Sequence, residues 1–470
     1  MININDILRA VAPFIKGESG LAKGIEVDDI SESLQGAKKH EIVFYRLRES
    51  EKAWEDFLGR YKTSEHGLLF LFGATRKLGA LERCLIIDES DALSCKKLIL
   101  DTLYPLKKDG PKLVGITGTN GKTTTAHLAL RITSLMGKKG LSIGTLGVLS
   151  SEGQVEHGTL TTPSLIDLRK IIYKYQESTD VFFLEVSSHG LDQGRMSGLQ
   201  FNWGAWTNFT QDHLDYHESM ESYFYCKTLI FDYLKKGKLF RPFSESDLAE
   251  RLSDFPAFST KCLSDWDIIN LPPLFLEGFN RKNLELALQL NESLWGPITK
   301  LNLQGLDTPK GRFSRIQIEE KLVIIDYAHT PDALENITKE LKSMYPKRPL
   351  GVVFGCGGDR DRKKRSIMGT VTASCLDPEK DSIYVTSDNP RTEDPLKIMD
   401  DILGGLQDYP KVHTIVERKE AILRALSLME KNGVLLIAGK GHESYQEIKG
   451  VRYSFCDFKI VDEFKNRRVL

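Results

Sequence analysis

Short apolar runs recur along the chain, each closed by polar, charged or glycine residues and followed by a stretch with helical spacing. Leu113-Val114-Gly115-Ile116, Val181-Phe182-Phe183-Leu184, Leu322-Val323-Ile324-Ile325, Leu350-Gly351-Val352-Val353-Phe354, Ser382-Ile383-Tyr384-Val385 and Val434-Leu435-Leu436-Ile437 are of this kind. Each reads as a buried strand, and Trp203-Gly204-Ala205-Trp206-Thr207 reads as another. Helical patterns between them, such as Ala126 to Met136 and Leu284 to Leu290, predict strands alternating with helices in a mostly parallel sheet. The fold class is therefore α/β.

The pattern divides the chain in three. Residues 1–109 carry Ile42-Val43-Phe44-Tyr45, Leu68-Leu69-Phe70-Leu71-Phe72 and Cys84-Leu85-Ile86-Ile87, which suit a small α/β domain with no evident catalytic motif. Residues 110–307 and 308–470 each repeat the strand–helix alternation, and 470 residues are enough for three domains.

One strand end carries the strongest chemistry. Gly118-Thr119-Asn120-Gly121-Lys122-Thr123-Thr124-Thr125 joins a strand to a helix. Glycines let backbone N–H groups converge on a phosphate, and the helix N-terminus adds positive potential. Lys122 suits β/γ-phosphate oxygens and the Thr123 hydroxyl suits Mg²⁺. The loop departs from the strict Walker spacing, because Ile116 stands where the first glycine belongs; the alternative is a tight turn with a surface lysine.

Other strand ends repeat the theme. Glu185 precedes Ser187-Ser188-His189-Gly190, and a carboxylate there suits Mg²⁺, a helix cap or a salt bridge. In the last third, four strands end in Asp326, in Gly355 to Arg360, in Asp388-Asn389-Pro390-Arg391 and in Gly439 to Glu443. Ligands of open α/β sheets bind at the carboxyl ends of strands. His213 and His217 have the i, i+4 spacing that can chelate zinc on a helix, although a structural role is the simpler reading and ATP chemistry uses Mg²⁺. The basic run from Arg360 to Arg365 is either a solvated helix face or an anion site.

Composition narrows the partners. Lys+Arg 64 against Asp+Glu 65 gives a net charge of −1, which argues against nucleic acid and membrane surfaces. Seven scattered cysteines without close pairs suit a reducing compartment rather than a disulfide framework. The first residues lack a signal-peptide pattern, and no apolar run is long enough to span a bilayer. A cytoplasmic protein, expected to be a monomer, follows.

Ten segments in order carry a resemblance: GTNGKTTT (118–125), TTP (161–163), EVSSHGL (185–191), TNFTQDHLDYH (207–217), FNRKN (279–283), GRF (311–313), DYAHTPDAL (326–334), GCGGDRD (355–361), SDNPR (387–391) and AGKGHE (438–443). They resemble the Mur ligase family, and within it the branch that adds the third residue of the peptidoglycan stem peptide. The resemblance implies a UDP-sugar-binding N-terminal domain (1–109), a central P-loop-type ATPase domain (110–307) and a C-terminal Rossmann-like, amino-acid-binding domain (308–470). It implies transfer of the ATP γ-phosphate to a carboxylate of a UDP-muramoyl dipeptide, then attack of an amine on the acyl phosphate.

The resemblance also implies roles. Gly118, Thr119, Asn120, Gly121, Lys122, Thr123 and Thr124 would hold ATP phosphates, while Asn280, Arg312 and Asp326 would contact base, phosphate and ribose. Thr123, Glu185 and His213 would hold Mg²⁺. Lys227 matches a lysine that family members carbamylate with CO₂; nothing local marks it, and by itself it reads as a surface lysine. Lys122, Lys227, His213 and Glu185 make the catalytic set. Thr161, Thr162, Ser187 and Arg195 would contact the UDP-muramoyl dipeptide.

Arg360, Asp388, Asn389, Arg391, Gly439 and Glu443 would bind the incoming amino acid, and Asp388-Asn389-Pro390-Arg391 resembles a meso-diaminopimelate selector. An arginine grips a distal carboxylate bidentately, while Asp388 and Glu443 can take an ammonium. Departures lie elsewhere. Residues 1–109 lack the family's Asp-Ser-Arg and Gly-Asp-Leu-Phe-Val-Ala stretches, and the segment from Lys227 to Phe279 is short. A relative with lysine or another amine as acceptor, and a non-catalytic ATP-binding relative, are the alternatives.

Overall fold

A computed structural model describes residues 2–19, 26–73, 81–158, 160–235 and 237–467. The chain folds as two compact units, 1–114 with 139–202 and 115–138 with 203–470. Among the described residues no helix is long and apolar enough to cross a membrane.

The first unit contains a five-stranded sheet in the order Ile15–Ser19, Cys84–Ile87, Leu68–Gly73, Glu41–Leu47, Asp29–Ser31. Its four inner and far strands run parallel, and Ile15–Ser19 is antiparallel at one edge. Leu68–Gly73 is apolar on both faces because both are covered. Phe44 and Phe70 face a core with Ile7, Val11 and Ile99, whereas Val43, Leu69 and Leu71 face one with Phe57. The register places Phe44 opposite Phe70, so the rings stack at 4.7 Å. The same unit holds the strands Gly140–Gly144, Gly147–Ser150, Gly153–Glu156 and Val181–Glu185; the first and last pair in parallel.

In the second unit, the helix Lys122–Leu135 starts at the glycine loop and lies against the helix Gly278–Trp295. Thr125 and Thr133 donate to the Asn283 and Asn291 side chains at 3.2 and 2.7 Å, which satisfies polar groups buried between the helices. Trp203–Trp206, Leu239–Arg241 and Ala257–Ser259 pair in parallel.

Residues 314–438 carry a six-stranded sheet in the order Ser314–Ile318, Lys321–Asp326, Val434–Ala438, Leu350–Phe354, Ser382–Val385, Val412–Thr414. All but the first strand are parallel. The register pairs Asp326 with Ala438, Val353 with Ile437 and Phe354 with Val385. Four strands therefore end level along one edge, with Val434–Ala438 inserted between strands that precede it in the chain. Crossing helices lead away from that edge, as expected for a parallel sheet.

Candidate active site

The glycine loop is built for close approach. Gly118 and Gly121 have φ of 138° and 84°, and a Cβ would overlap the Thr207 hydroxyl at one and the Asn283 amide at the other. Asn208 Oδ1 accepts from the backbone N–H of Thr119 and Asn120 at 3.1 and 2.9 Å, fixing the loop from outside. Lys122 Nζ donates to the carbonyls of Gly118 and Thr119, both at 2.8 Å.

Lys227 corrects the surface reading. It is 1% exposed, its Nζ donates to the same Gly118 carbonyl at 2.9 Å, and it lies 4.7 Å from the Tyr223 ring centre. Helical spacing in Met220–Thr228 turns Lys227 inward with Tyr223, an i, i+4 pair. Burial, reinforced by the nearby Lys122 ammonium, pushes the Lys227 amine well below its usual range. Two amines on one carbonyl favour either a neutral Lys227 or an anion between them.

Around the loop stand residues that sequence motifs had separated. Arg312 Nη2 donates to Thr123 Oγ1 at 3.3 Å, and its guanidinium lies 4.4 Å from the Tyr327 ring centre. Asp326 accepts from Phe313 N and Ala328 N, both at 2.7 Å. Asn280 is 1% exposed, yet neither Oδ1 nor Nδ2 has a protein partner. It lines one pocket with Gly121, Thr124, Arg312 and Asp326. A buried amide with donor and acceptor both unused suits a heterocycle edge.

His213 adopts a left-handed conformation with φ 55° and lies 3.4 Å from Asp212. Asp212, not singled out by the sequence, is buried, which would raise its pKa. The charges of His213, His329 and Lys364 prevail and hold it at about 2. His217 is buried against Tyr223.

Beside this pocket is a cleft of about 910 Å³. Glu340 caps the Gly278–Trp295 helix there, accepting from Phe279 N at 3.3 Å. Burial lifts Glu340 to about 7, against the lowering effect of that hydrogen bond and with small additions from Asp326 and Glu277. The raised value means that the folded state disfavours the ionised form. Its stabilising contribution is therefore full at low pH and lost as pH rises through about 7. Glu340→Gln keeps an acceptor and removes the charge. It is expected to raise the melting temperature by a few degrees near pH 8.5, from a penalty of at most ~3 kcal/mol, and to leave it nearly unchanged near pH 4, where the carboxyl is protonated in both states.

The carboxyl edge of the six-stranded sheet gathers the remaining set. Asn389 Nδ2 donates to Glu443 at 3.0 Å, Gln446 donates to the Asp388 carbonyl at 2.7 Å and Glu447 N donates to Asn389 Oδ1 at 2.9 Å. Gly439 has φ 114°, and a Cβ there would meet Asp388 Oδ2 at 2.5 Å. Arg391 has φ 51°, a strained conformation held by backbone bonds with Glu447 and Lys449, while Nη1 donates to the Gly358 carbonyl at 2.6 Å. Arg360 is exposed on the loop after Leu350–Phe354. The basic run is neither of the two uniform alternatives. Arg365 is 1% exposed and pairs with Glu393 and Asp401, whereas Arg362 and Lys363 face solvent.

Within the first unit, Thr162 Oγ1 donates to the Glu185 carbonyl at 2.8 Å and lies 3.0 Å from Ser187 Oγ, and Arg195 Nη1 donates to the Thr162 carbonyl at 2.6 Å. Thr161 Oγ1 is 3.0 Å from Thr145 Oγ1, which also donates to Glu185 Oε2 at 3.0 Å. Thr145 carried no motif signal, yet it orients Glu185.

A glycine phosphate cradle beside a buried, unsatisfied amide, with a second polar cluster at a parallel-sheet edge, defines an α/β enzyme that uses a nucleotide on a second small molecule. The Mur ligase middle domain matches residues 116–254, and the Mur ligase glutamate ligase domain matches residues 311–441. The UDP-N-acetylmuramoyl-L-alanyl-D-glutamate–2,6-diaminopimelate ligase of Cytophaga hutchinsonii is 36% identical over 81% of this chain and 83% of its own. That of Lawsonia intracellularis is 35% identical over 90% and 96%. A solved structure of a UDP-N-acetylmuramoyl-L-alanyl-D-glutamate–2,6-diaminopimelate ligase superposes with a TM-score of 0.56 at 28% identity, covering 94% of this chain and 96% of its own. MurF from Thermotoga maritima with ADP shares the fold, with a TM-score of 0.62 at 15% identity, 95% of this chain and 99% of that one being covered.

The chain belongs to the Mur ligase family. It is an ATP-dependent, ADP-forming ligase of peptidoglycan precursor synthesis.

Proposed function

We propose that this ligase joins meso-diaminopimelate to the D-glutamate side-chain carboxylate of UDP-N-acetylmuramoyl-L-Ala-D-Glu. The observation that carries the acceptor is the gathering of Asp388, Asn389, Arg391 and Glu443 at one sheet edge: Asn389 binds Glu443, and Arg391 of the same turn reaches the Gly358 carbonyl of the neighbouring loop. Diaminopimelate offers a distal carboxylate and ammonium; lysine offers the ammonium alone. The relatives' names support the same acceptor.

The residues divide the work. Asn280 and Asp326 hold base and ribose, Arg312 and Lys122 neutralise phosphate oxygens, and the glycine loop aims N–H groups at them. A carboxylate becomes electrophilic only when an oxygen is made a leaving group, so the γ-phosphoryl passes to the dipeptide carboxylate first. The amine then attacks the carbonyl carbon, and phosphate leaves with the C–O bond electrons. Positioning and charge neutralisation are the protein's contribution.

Thr123, His213, Glu185 and Lys227 are the proposed Mg²⁺ donors, each by its own chemistry: a hydroxyl, an imidazole, a carboxylate and an amine able to become a carbamate. Bound Mg²⁺ would neutralise charge on the transferring phosphoryl group. Lys227 is proposed to carry a carbamate. Its neutral amine is the form that adds CO₂, losing a proton as the N–C bond forms, and burial beside Lys122 favours that form. Thr161, Thr162, Ser187 and Arg195 are assigned to the muramoyl dipeptide. The functional division is proposed as 1–109, 110–307 and 308–470, and the protein is proposed to be a cytoplasmic monomer; its seven free thiols support a reducing compartment.

The test is phosphate release from ATP with the UDP-muramoyl dipeptide, comparing meso-diaminopimelate with L-lysine. Turnover with diaminopimelate alone is expected. Turnover with lysine alone would overturn the acceptor, and turnover with neither would shift attention to residues 1–109.

A further inference from the structure

Lys440 lies in the acceptor cluster but belongs to none of the roles above. Its side chain is 0% exposed. Nζ donates to Asn389 Oδ1 at 2.9 Å and to Glu443 Oε2 at 3.1 Å, and lies 3.5 Å from Asp388 Oδ1. The three partners are three of the residues assigned to the incoming amino acid. Gly439, with φ 114°, lets the chain turn so that Lys440 points back beneath them. A buried ammonium needs paired carboxylates, and a buried carboxylate pair needs a cation.

We propose that Lys440 is a specificity-determining residue: a resident ammonium that cancels one carboxylate of the Asp388–Glu443 pair and makes the acceptor pocket neutral. Counting Arg391 of the same turn, the set holds two carboxylates and two cations. Arg418 is also within electrostatic reach of Asp388 and Glu443, but its guanidinium is paired with the Asp457 carboxylate at 3.0 and 2.8 Å, so that pair adds no net charge. Glu447 on the adjoining strand likewise faces Arg452 at 3.7 Å.

A neutral pocket with separated charges matches a distal end that is itself a zwitterion. The acceptor's carboxylate meets Arg391 and its ammonium shares the carboxylates with Lys440. A bare ammonium fits poorly, since it adds a third cation and leaves the Arg391 fork unpaired. Discrimination against lysine thus rests on Lys440 as well as on Arg391. Neutralising Lys440 would leave the pocket with a net negative charge and an ammonium-sized place between Asp388, Asn389 and Glu443.

The inference rests on the proposed acceptor, and the experiment separates the two. kcat/KM is measured for meso-diaminopimelate and L-lysine, with KM for ATP, in the parent, Lys440→Met and Lys440→Gln. Gln keeps a donor for Asn389 without the charge and is the variant that carries the test if Met does not fold. The expected result is a shift of the lysine-to-diaminopimelate ratio toward lysine by about tenfold or more, with KM for ATP unchanged. A merely structural lysine would lower both acceptors in proportion, and that result overturns the inference while leaving the acceptor reading intact. A parent enzyme that prefers lysine overturns the acceptor reading, and the inference with it.

Discussion

Lys227→Ala is expected to lower turnover by about three orders of magnitude while the protein stays folded. Among the described residues no carboxylate lies at hydrogen-bond distance of this buried lysine; its contacts are a carbonyl and an aromatic face, and Lys122 repels it. An ammonium so placed stabilises little, so its removal should move the melting temperature by only a few degrees. Catalysis is another matter, because a carbamate at Nζ would bring negative charge beside the glycine loop.

Lys227→Ala leaves room in that position for a small acid. Formate or acetate is expected to restore part of the activity, in a dose-dependent way and with smaller acids acting best. The direct check is a ¹³C signal from labelled bicarbonate in the parent and its absence in the variant. Loss of activity with neither rescue nor label would place Lys227 in the site as an amine and remove the carbamate from the mechanism.

Arg391→Lys is expected to raise KM for the proposed acceptor by about a hundredfold and to leave KM for ATP nearly unchanged. Nη1 is committed to the Gly358 carbonyl at 2.6 Å, and the remaining donors of the planar fork can still hold a carboxylate. A lysine supplies one point charge and must choose between the two. The backbone effect should be small, because φ 51° is as unfavourable for lysine as for arginine. Steady-state kinetics with each substrate varied in turn will decide. Equal loss for both substrates would mean that Arg391 supports the loop rather than the acceptor.

Gly118 to Thr125, and the polar ends of the strands that begin at Leu322, Leu350, Ser382 and Val434, were legible because local pattern sets them. Apolar runs specify buried strands, glycines permit left-handed turns, and chemistry collects where strands of a parallel sheet end. The basic run was less so. Its charges alternate between solvent and a buried network, and composition alone carries no helical phase to separate Arg365 from Arg362.

Sequence by itself determined the class of this protein: a phosphate loop, a parallel α/β framework and a set of motifs in family order. All of these are local in the chain, so spacing and residue type are enough to reveal them. Only the tertiary structure decided which lone residues matter. Lys227 lies 109 residues from Gly118, yet meets its carbonyl. Lys440 pairs with Asn389 across 51 residues, Glu340 caps a helix that starts 62 residues earlier, and Thr145 orients Glu185 across 40. No neighbour in sequence marks Lys227, Glu340 or Thr145, and the motif around Lys440 does not reveal its pairing with Asn389. Burial and a partner brought in by the fold give each one its role.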